Sequence, residues 1–96
     1  MTPGPDVVEA VPVSKEAPKY PLRARQMGVG GVVDVRALVG IDGSVEEVRI
    51  TSVSRKNVGF EEATETAIKK WRYKPATKKG VKVRMWVSIR VPFRDP

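Results

Sequence analysis

Ninety-six residues make one small domain, and with no cysteine to staple it a core of this size is only marginally stable. The absence of His and Cys removes the commonest metal ligands, the usual general base and the best nucleophile, so the composition speaks against an enzyme and offers no cofactor or metal site. Lys and Arg number 18 against 11 Asp and Glu, and the net charge of +7 favours anionic surfaces, nucleic acid or acidic peptides as partners.

Residues 1–18 hold Pro3, Pro5, Pro12 and Pro18, and their acidic Asp6, Glu9 and Glu16 face only Lys15, so the basic excess belongs to the rest of the chain. Proline fixes φ and removes a donor, so this stretch is expected to be a flexible, extended linker. Val7, Val8, Val11 and Val13 are its exception, suited to adding a short strand to something. Met1 is followed by polar, Pro-rich sequence rather than a signal peptide's apolar segment, and no apolar run nears the roughly 18 residues of a membrane span. The folded domain is expected over residues 19–96.

Tyr20-Pro21 opens a short helix, Pro21 to Met27, because proline suits a first helical turn and Gly28 and Gly30 stop the helix. Leu22, Ala24 and Met27 are expected to face inward. From Gly31 the period changes to two: Val33, Val35, Ala37, Val39 and Ile41 share one face, and Val32, Asp34, Arg36 and Leu38 the other. Asp42-Gly43 marks a hairpin, and the return strand carries Val45, Val48, Ile50 and Ser52. Val45 and Val48 are an odd step apart, so they share a face only if Glu46-Glu47 contains a bulge.

Residues 59–72 predict a second helix. Phe60, Ala63, Ala67, Ile68 and Trp71 form its apolar stripe, with Glu61, Glu62 and Glu65 near the start and Lys69, Lys70 and Arg72 at the end, where they complement the helix dipole. Pro75 bars continuation beyond Tyr73, and Lys78-Lys79-Gly80 is a turn. The last strand, Val81 to Phe93, alternates throughout: Val83, Met85, Val87, Ile89, Val91 and Phe93 form the core face, and Lys82, Arg84, Trp86, Ser88, Arg90 and Pro92 the outer face. Pro92 puts it at a sheet edge, since proline cannot donate to a ladder. The order helix, strand, strand, helix, strand predicts an α+β fold, a three-stranded antiparallel sheet with both helices packed on one face.

Two constellations have the look of chemistry. Glu61 and Glu65 lie i, i+4 on one helix, which dipole complement explains better than metal binding. Gly28-Val29-Gly30-Gly31 has the composition of a phosphate cradle but precedes a strand, whereas a phosphate loop opens a helix. The basic outer face of the last strand, with Trp86 among Lys82, Arg84 and Arg90, reads either as a recognition surface or as Trp86 packing on Leu38 with solvated charges around it.

Tyr20-Pro21 with Ala24, Gly31-x-Val33-x-Val35, Asp42-Gly43-x-Val45, Val48-x-Ile50-x-Ser52 and above all Ala67-x-x-x-Trp71-Arg72-Tyr73-x-Pro75-Ala76 resemble, in order and spacing, the TonB C-terminal domain family over roughly residues 18–94. Gly80-x-x-Val83 and the alternation to Phe93 complete the pattern. Ser52-Val53-Ser54-Arg55-Lys56 departs from it where many relatives have a Ser-Ser-Gly turn.

The resemblance implies a periplasmic energy-transducing domain that catalyses nothing. Such a domain is tethered to the inner membrane by an upstream helix that this sequence does not contain, and the same upstream segment meets ExbB- and ExbD-type proteins. It binds the TonB box of a TonB-dependent outer-membrane transporter as an added strand and transmits force drawn from the proton gradient for nutrient uptake. The implied partner-binding residues are Lys82, Val83, Arg84, Met85, Trp86, Val87, Ser88, Ile89, Arg90 and Val91, and residues 1–18 are then the end of the periplasmic spacer. The alternative is the same fold serving another cell-envelope machine. A basic nucleic-acid-binding domain is disfavoured, because the chain has neither paired exposed aromatics nor a groove-reading helix. An open edge also invites self-pairing, so a homodimer is expected to be accessible.

Overall fold

The computed structural model describes residues 6–94. The linker reading of residues 1–5 and the domain reading of residues 95–96 therefore lie outside the described residues. In chain order the elements are β1 (Val7–Val8), β2 (Val11–Ser14), α1 (Leu22–Met27), β3 (Gly31–Val39), β4 (Val45–Val53), α2 (Phe60–Ile68), β5 (Arg72–Lys74), β6 (Ala76–Lys78), β7 (Val81–Val83) and β8 (Met85–Phe93).

The expected α+β fold and its antiparallel three-stranded sheet are present, in the order β4-β3-β8. Alternation in β3 drives Val33, Val35, Ala37 and Val39 to full burial on one face, and β8 lies beside it in unbroken register from Gly31↔Phe93 to Val39↔Met85. Two small sheets, β1-β6-β7 and β2-β5, stand beside the main one and were not expected from the sequence.

The β3–β4 hairpin turns through Ile41-Asp42-Gly43. Gly43 N–H donates to the Gly40 carbonyl and Gly40 N–H to the Ser44 carbonyl, with Gly43 left-handed at φ +83°, the geometry of a three-residue loop closed by a bulge. Asp42 Oδ1 accepts from both the backbone N–H and the hydroxyl of Ser44. Ile41 falls in this loop and is exposed, because β3 ends at Val39 and the alternation no longer applies.

The bulge in β4 falls where the odd step required it. Leu38 faces Glu47 and Val39 faces Val45, leaving Glu46 unpaired. A second irregularity leaves Thr51 between the pairs Asp34↔Ser52 and Val35↔Ile50. This one turns Ile50 and Val53, another odd step, toward the core and sends Ser52 out, where its hydroxyl donates to Asp34 Oδ2. Ser52 was expected on the inner face; the extra residue reverses it.

Helix α2 packs on β3 and β4 through Phe60, Thr64, Ala67 and Ile68. It is shorter than the predicted 59–72. After Ile68 the Lys70 and Trp71 N–H groups bond to the carbonyls three residues back, and the chain leaves as β5, aided by Pro75. The centre of the core is aromatic: Phe60 and Phe93 stack at 4.5 Å between centroids, and Tyr20 meets both edge-on at 6.0 and 5.9 Å.

Helix α1 is a weaker contributor than its sequence suggested. Ala24 is fully buried, but Leu22 is 68% and Met27 55% exposed. Leu22 lies two residues from Ala24, about 200° around a 3.6-residue turn, so the two cannot face inward together. Gly28, left-handed at φ +66°, ends the helix with Val29 N–H on the Ala24 carbonyl.

Two further expectations change. The strand predicted over Val81–Phe93 is two strands with Arg84 as the joint. β8 loses its partner where β3 ends at Val39, so the preceding residues pair instead with β6 through the tight Lys79-Gly80 turn, both residues at positive φ. Alternation reports the pleat and not the neighbour, so it ran across the break. The stretch 6–18 is extended as expected but, from Val7 to Ser14, paired rather than free: β1 joins β6 and β2 joins β5, and the Trp71 indole N–H donates to the Glu16 carbonyl at 2.8 Å. The valines singled out as possible strand formers are the ones that form it.

Candidate functional site

Strand β8 is hydrogen-bonded to β3 on one side, and no described strand pairs with its other side. An edge strand of this kind carries a row of unpaired N–H and C=O groups at fixed spacing. Here the edge lines a cleft of about 490 Å³, one wall of which is Met85–Arg90. The floor is Trp71 and Tyr73, and the opposite wall is Ala10 and Pro12 of the N-terminal stretch, with Glu9 and Lys15 at its margin.

The floor is held from the hairpin side. Tyr73 N–H donates to the Gly43 carbonyl at 2.8 Å, and Ser44 bridges to Arg72, so β5 is docked on the β3–β4 turn. Trp71 and Tyr73, two residues apart on one extended segment, present their rings to the same side, 6.5 Å between centroids. Both are largely buried, and that burial raises the Tyr73 phenol above its ordinary pKa. Val87 and Ile89 of β8 pack against the same core cluster, so the inward side of the edge runs into the aromatic floor without a break.

The predicted partner-binding residues divide into four sets. Met85, Trp86, Val87, Ser88, Ile89 and Arg90 line the cleft together. Val91 continues β8 but is buried in the core, and Lys82 and Val83 belong to β7, paired with β6 in a separate sheet. Arg84 lies between the strands and reaches the bulged Glu46 at 2.8 Å.

The outer face is less cationic than its composition implied. Besides Arg84–Glu46, Arg49 pairs with Glu47 at 2.9 Å and Arg90 with Asp34 at 2.8 Å. The Arg90 hydrogen bond, followed by that of Ser52, holds the Asp34 carboxyl below its usual pKa and raises Arg90 in return. Trp86 stands opposite Leu38, half-buried, with the guanidiniums of Arg36 and Arg49 at 5.5 and 5.3 Å from its ring centroid. Trp86 thus stands across the sheet from Leu38 among arginines and is also one of the residues lining the cleft.

Of the other candidates, Glu65 forms an i, i+4 ion pair with Lys69 at 2.9 Å, and Glu61 and Glu62 lie in the first turn of α2, as dipole complement requires. The glycines at 28–31 cap α1 and lead into β3. Ala10, Pro12, Trp71 and Tyr73 as cleft residues escaped the sequence reading. The available signal was Trp71-x-Tyr73, a period of two hidden at the end of a helical stripe.

Among the described residues no helix is long and apolar enough to cross a membrane. The family described as Gram-negative bacterial TonB protein C-terminal matches residues 16–94. The chain is 38% identical to the protein TonB of Escherichia coli K12 over 63 residues, which is 66% of this chain and 26% of that protein. It is 32% identical to the protein TonB of Klebsiella pneumoniae over 79 residues, 82% of this chain and 32% of that protein. It therefore spans less than a third of the length of either relative. The solution NMR structure of Pseudomonas aeruginosa TonB CTD superposes with a TM-score of 0.71, covering 94% of this chain and 87% of that one, and at 23% identity this likeness establishes the fold. On the match over residues 16–94 and on these relatives, the chain belongs to the family of Gram-negative bacterial TonB protein C-terminal domains.

Proposed function

We propose that this domain is the periplasmic end of an energy transducer, binding the TonB box of an outer-membrane transporter as a strand added to β8 and passing force to it. Residues 1–18 are then the end of the spacer, and an inner-membrane anchor with its ExbB- and ExbD-type partners lies upstream. The observation that carries the reading is the unpaired edge of β8 along the cleft. Backbone pairing accepts many guest sequences, because each main-chain hydrogen bond is the same group in every residue. Each contributes only about 0.5–1.5 kcal/mol net, so a usable affinity needs several in register. The domain's part is grip and transmission, and no reaction is assigned to it.

A synthetic TonB-box peptide titrated into the isotope-labelled chain is expected to shift the amides of residues 85–90. Of two copies, N-methylated at the odd or at the even residues, the one that loses the donors facing β8 is expected to bind at least tenfold more weakly than the other. Shifts confined to α2, or equal affinity of the two copies, refute edge pairing. The ion pairs that neutralise Arg49, Arg84 and Arg90 weigh against nucleic acid as the partner of this face, since phosphate binding relies on uncompensated cations.

A further inference from the structure

The cleft beside β8 has two sides, and only one of them is the edge strand. The other is the stretch from Glu9 to Glu16, which crosses the body as a strap. It is fixed at one end by the Trp71 indole N–H on the Glu16 carbonyl and along its length by pairing of β2 with β5. Its residues alternate. Val11 and Val13 point to solvent, 53% and 72% exposed, whereas Ala10 and Pro12 are partly buried and line the cleft with Trp71 and Tyr73.

The pleat decides what a guest strand would meet there. In a strand added beside β8, every second side chain shares the face of Val87 and Ile89, and the others share the face of Trp86, Ser88 and Arg90. The first set points into the layer where Trp71, Tyr73, Ala10 and Pro12 converge, an apolar surface with the indole N–H already bonded to Glu16. An acidic side chain delivered there would lose water, and of the cleft's two cations Lys15 stays at the exposed margin, 5.9 Å from the Trp71 ring centroid, while Arg90 is paired with Asp34 on the other face. The second set stays on the solvated face.

Resting on the reading of β8 as the docking edge, we propose that the strap is the second wall of the peptide site, and that Ala10, Pro12, Trp71 and Tyr73 select guests with apolar side chains at alternate, body-facing positions. The occupant is an extended peptide of about six residues, the length that spans Met85–Arg90 at roughly 3.3 Å each. Affinity comes from the main chain of β8, and discrimination from the strap and the floor. The strap is part of the site although it precedes the compact body of the domain.

The test uses the full chain and two capped heptapeptides, one alternating Val and Thr, the other with Asp in place of each Val. NMR locates binding and calorimetry measures affinity. The wild-type chain is expected to show shifts at residues 85–90 with the Val peptide and at least tenfold weaker binding of the Asp peptide. Ala10→Asp and Pro12→Asp are each expected to lose at least tenfold in affinity for the Val peptide. Val11→Asp, on the solvent side of the same strap, controls for loosening of the strap and is expected to stay within about twofold. Equal affinity across wild type, Ala10→Asp and Pro12→Asp, with the shifts at 85–90 retained, overturns the wall and leaves edge pairing intact, as does an equal loss in Val11→Asp. Absence of shifts at 85–90 in the wild type overturns edge pairing itself, and the wall with it. A second copy of the chain filling the cleft, seen as a concentration-dependent dimer that the peptide does not dissociate, overturns both.

Discussion

Replacing Gly43 tests whether the floor of the cleft is locked to the main hairpin. Gly43 is left-handed at φ +83°, and a Cβ there would press on the Tyr73 carbonyl oxygen, a backbone atom without room to yield. Two costs follow from Gly43→Ala. A Cβ-bearing residue in the left-handed region costs roughly 1–2 kcal/mol. Displacing β5 strains or breaks the 2.8 Å bond from Tyr73 N–H to the Gly43 carbonyl, and leaving that buried pair unsatisfied costs about 1–3 kcal/mol more. The expected loss is about 3 kcal/mol, a large part of the 5–15 kcal/mol typical of a domain. At about 4–8 °C per kcal/mol for a chain of this size, Tm falls by about 12–24 °C.

Gly80 supplies the comparison within the same molecule. Its φ is +78°, nearly that of Gly43, but nothing lies within 4 Å of the position a Cβ would take. Gly80→Ala therefore carries the conformational cost alone, about 1–2 kcal/mol. Urea unfolding of both variants, with hydrogen exchange at the Tyr73 amide, separates the two contributions. If Gly43→Ala is no more destabilising than Gly80→Ala, or if Tyr73 keeps its protection in Gly43→Ala, the docking of β5 on the turn is not what holds the floor.

Three further outcomes are expected. Thr64 is fully buried with its hydroxyl unpartnered, so Thr64→Val, nearly isosteric, should stabilise the domain by about 1 kcal/mol in urea unfolding. The Asp34 carboxyl, held low by Arg90 and then Ser52, should titrate by NMR below the usual range of an aspartate, and Ser52→Ala should move it upward. Because its folded pKa is depressed, its contribution to stability is present above the unfolded value and disappears as pH falls through the folded one, a decline that Asp34→Asn should remove. Trp71→Phe deletes the donor to the Glu16 carbonyl, and the amides of β2 should exchange faster by at least tenfold while those of β3 are unchanged.

The parts of the fold legible in the sequence are those where one periodicity meets one partner. Val33 to Val39 alternate against a single covering layer, Phe60 to Ile68 keep helical spacing, and the odd step from Val45 to Val48 required the bulge that Glu46 forms. The reading failed where a strand exchanges neighbours. Val81–Phe93 keeps one pleat through Arg84 while its partner changes from β6 to β3, and residue periodicity carries no information about that change. The candidate edge was legible because Pro92 and the order of elements left β8 outermost. The proposed far wall was not, because Ala10 and Pro12 come to line the cleft only through β2 lying on β5, a pairing between segments about sixty residues apart.

The usable length of the edge follows from its two ends. Pro92, in register with Val32, has no N–H to give a guest, so donation from β8 beyond Val91 is interrupted there. At the other end Met85 is the last residue in register with β3, and past Arg84 the main chain turns into the β6–β7 ladder. What remains open, Met85 to Val91, is about 20 Å of backbone at roughly 3.3 Å per residue. The same two features interrupt a longer continuous pairing, since Pro92 offers no N–H and the ladder partner of the chain changes at Arg84. On the proposed reading, an edge that offers a short segment several equivalent hydrogen bonds and is interrupted on both sides suits a load-bearing contact. On that reading the length of the edge limits the register of a guest, and side chains would refine its choice.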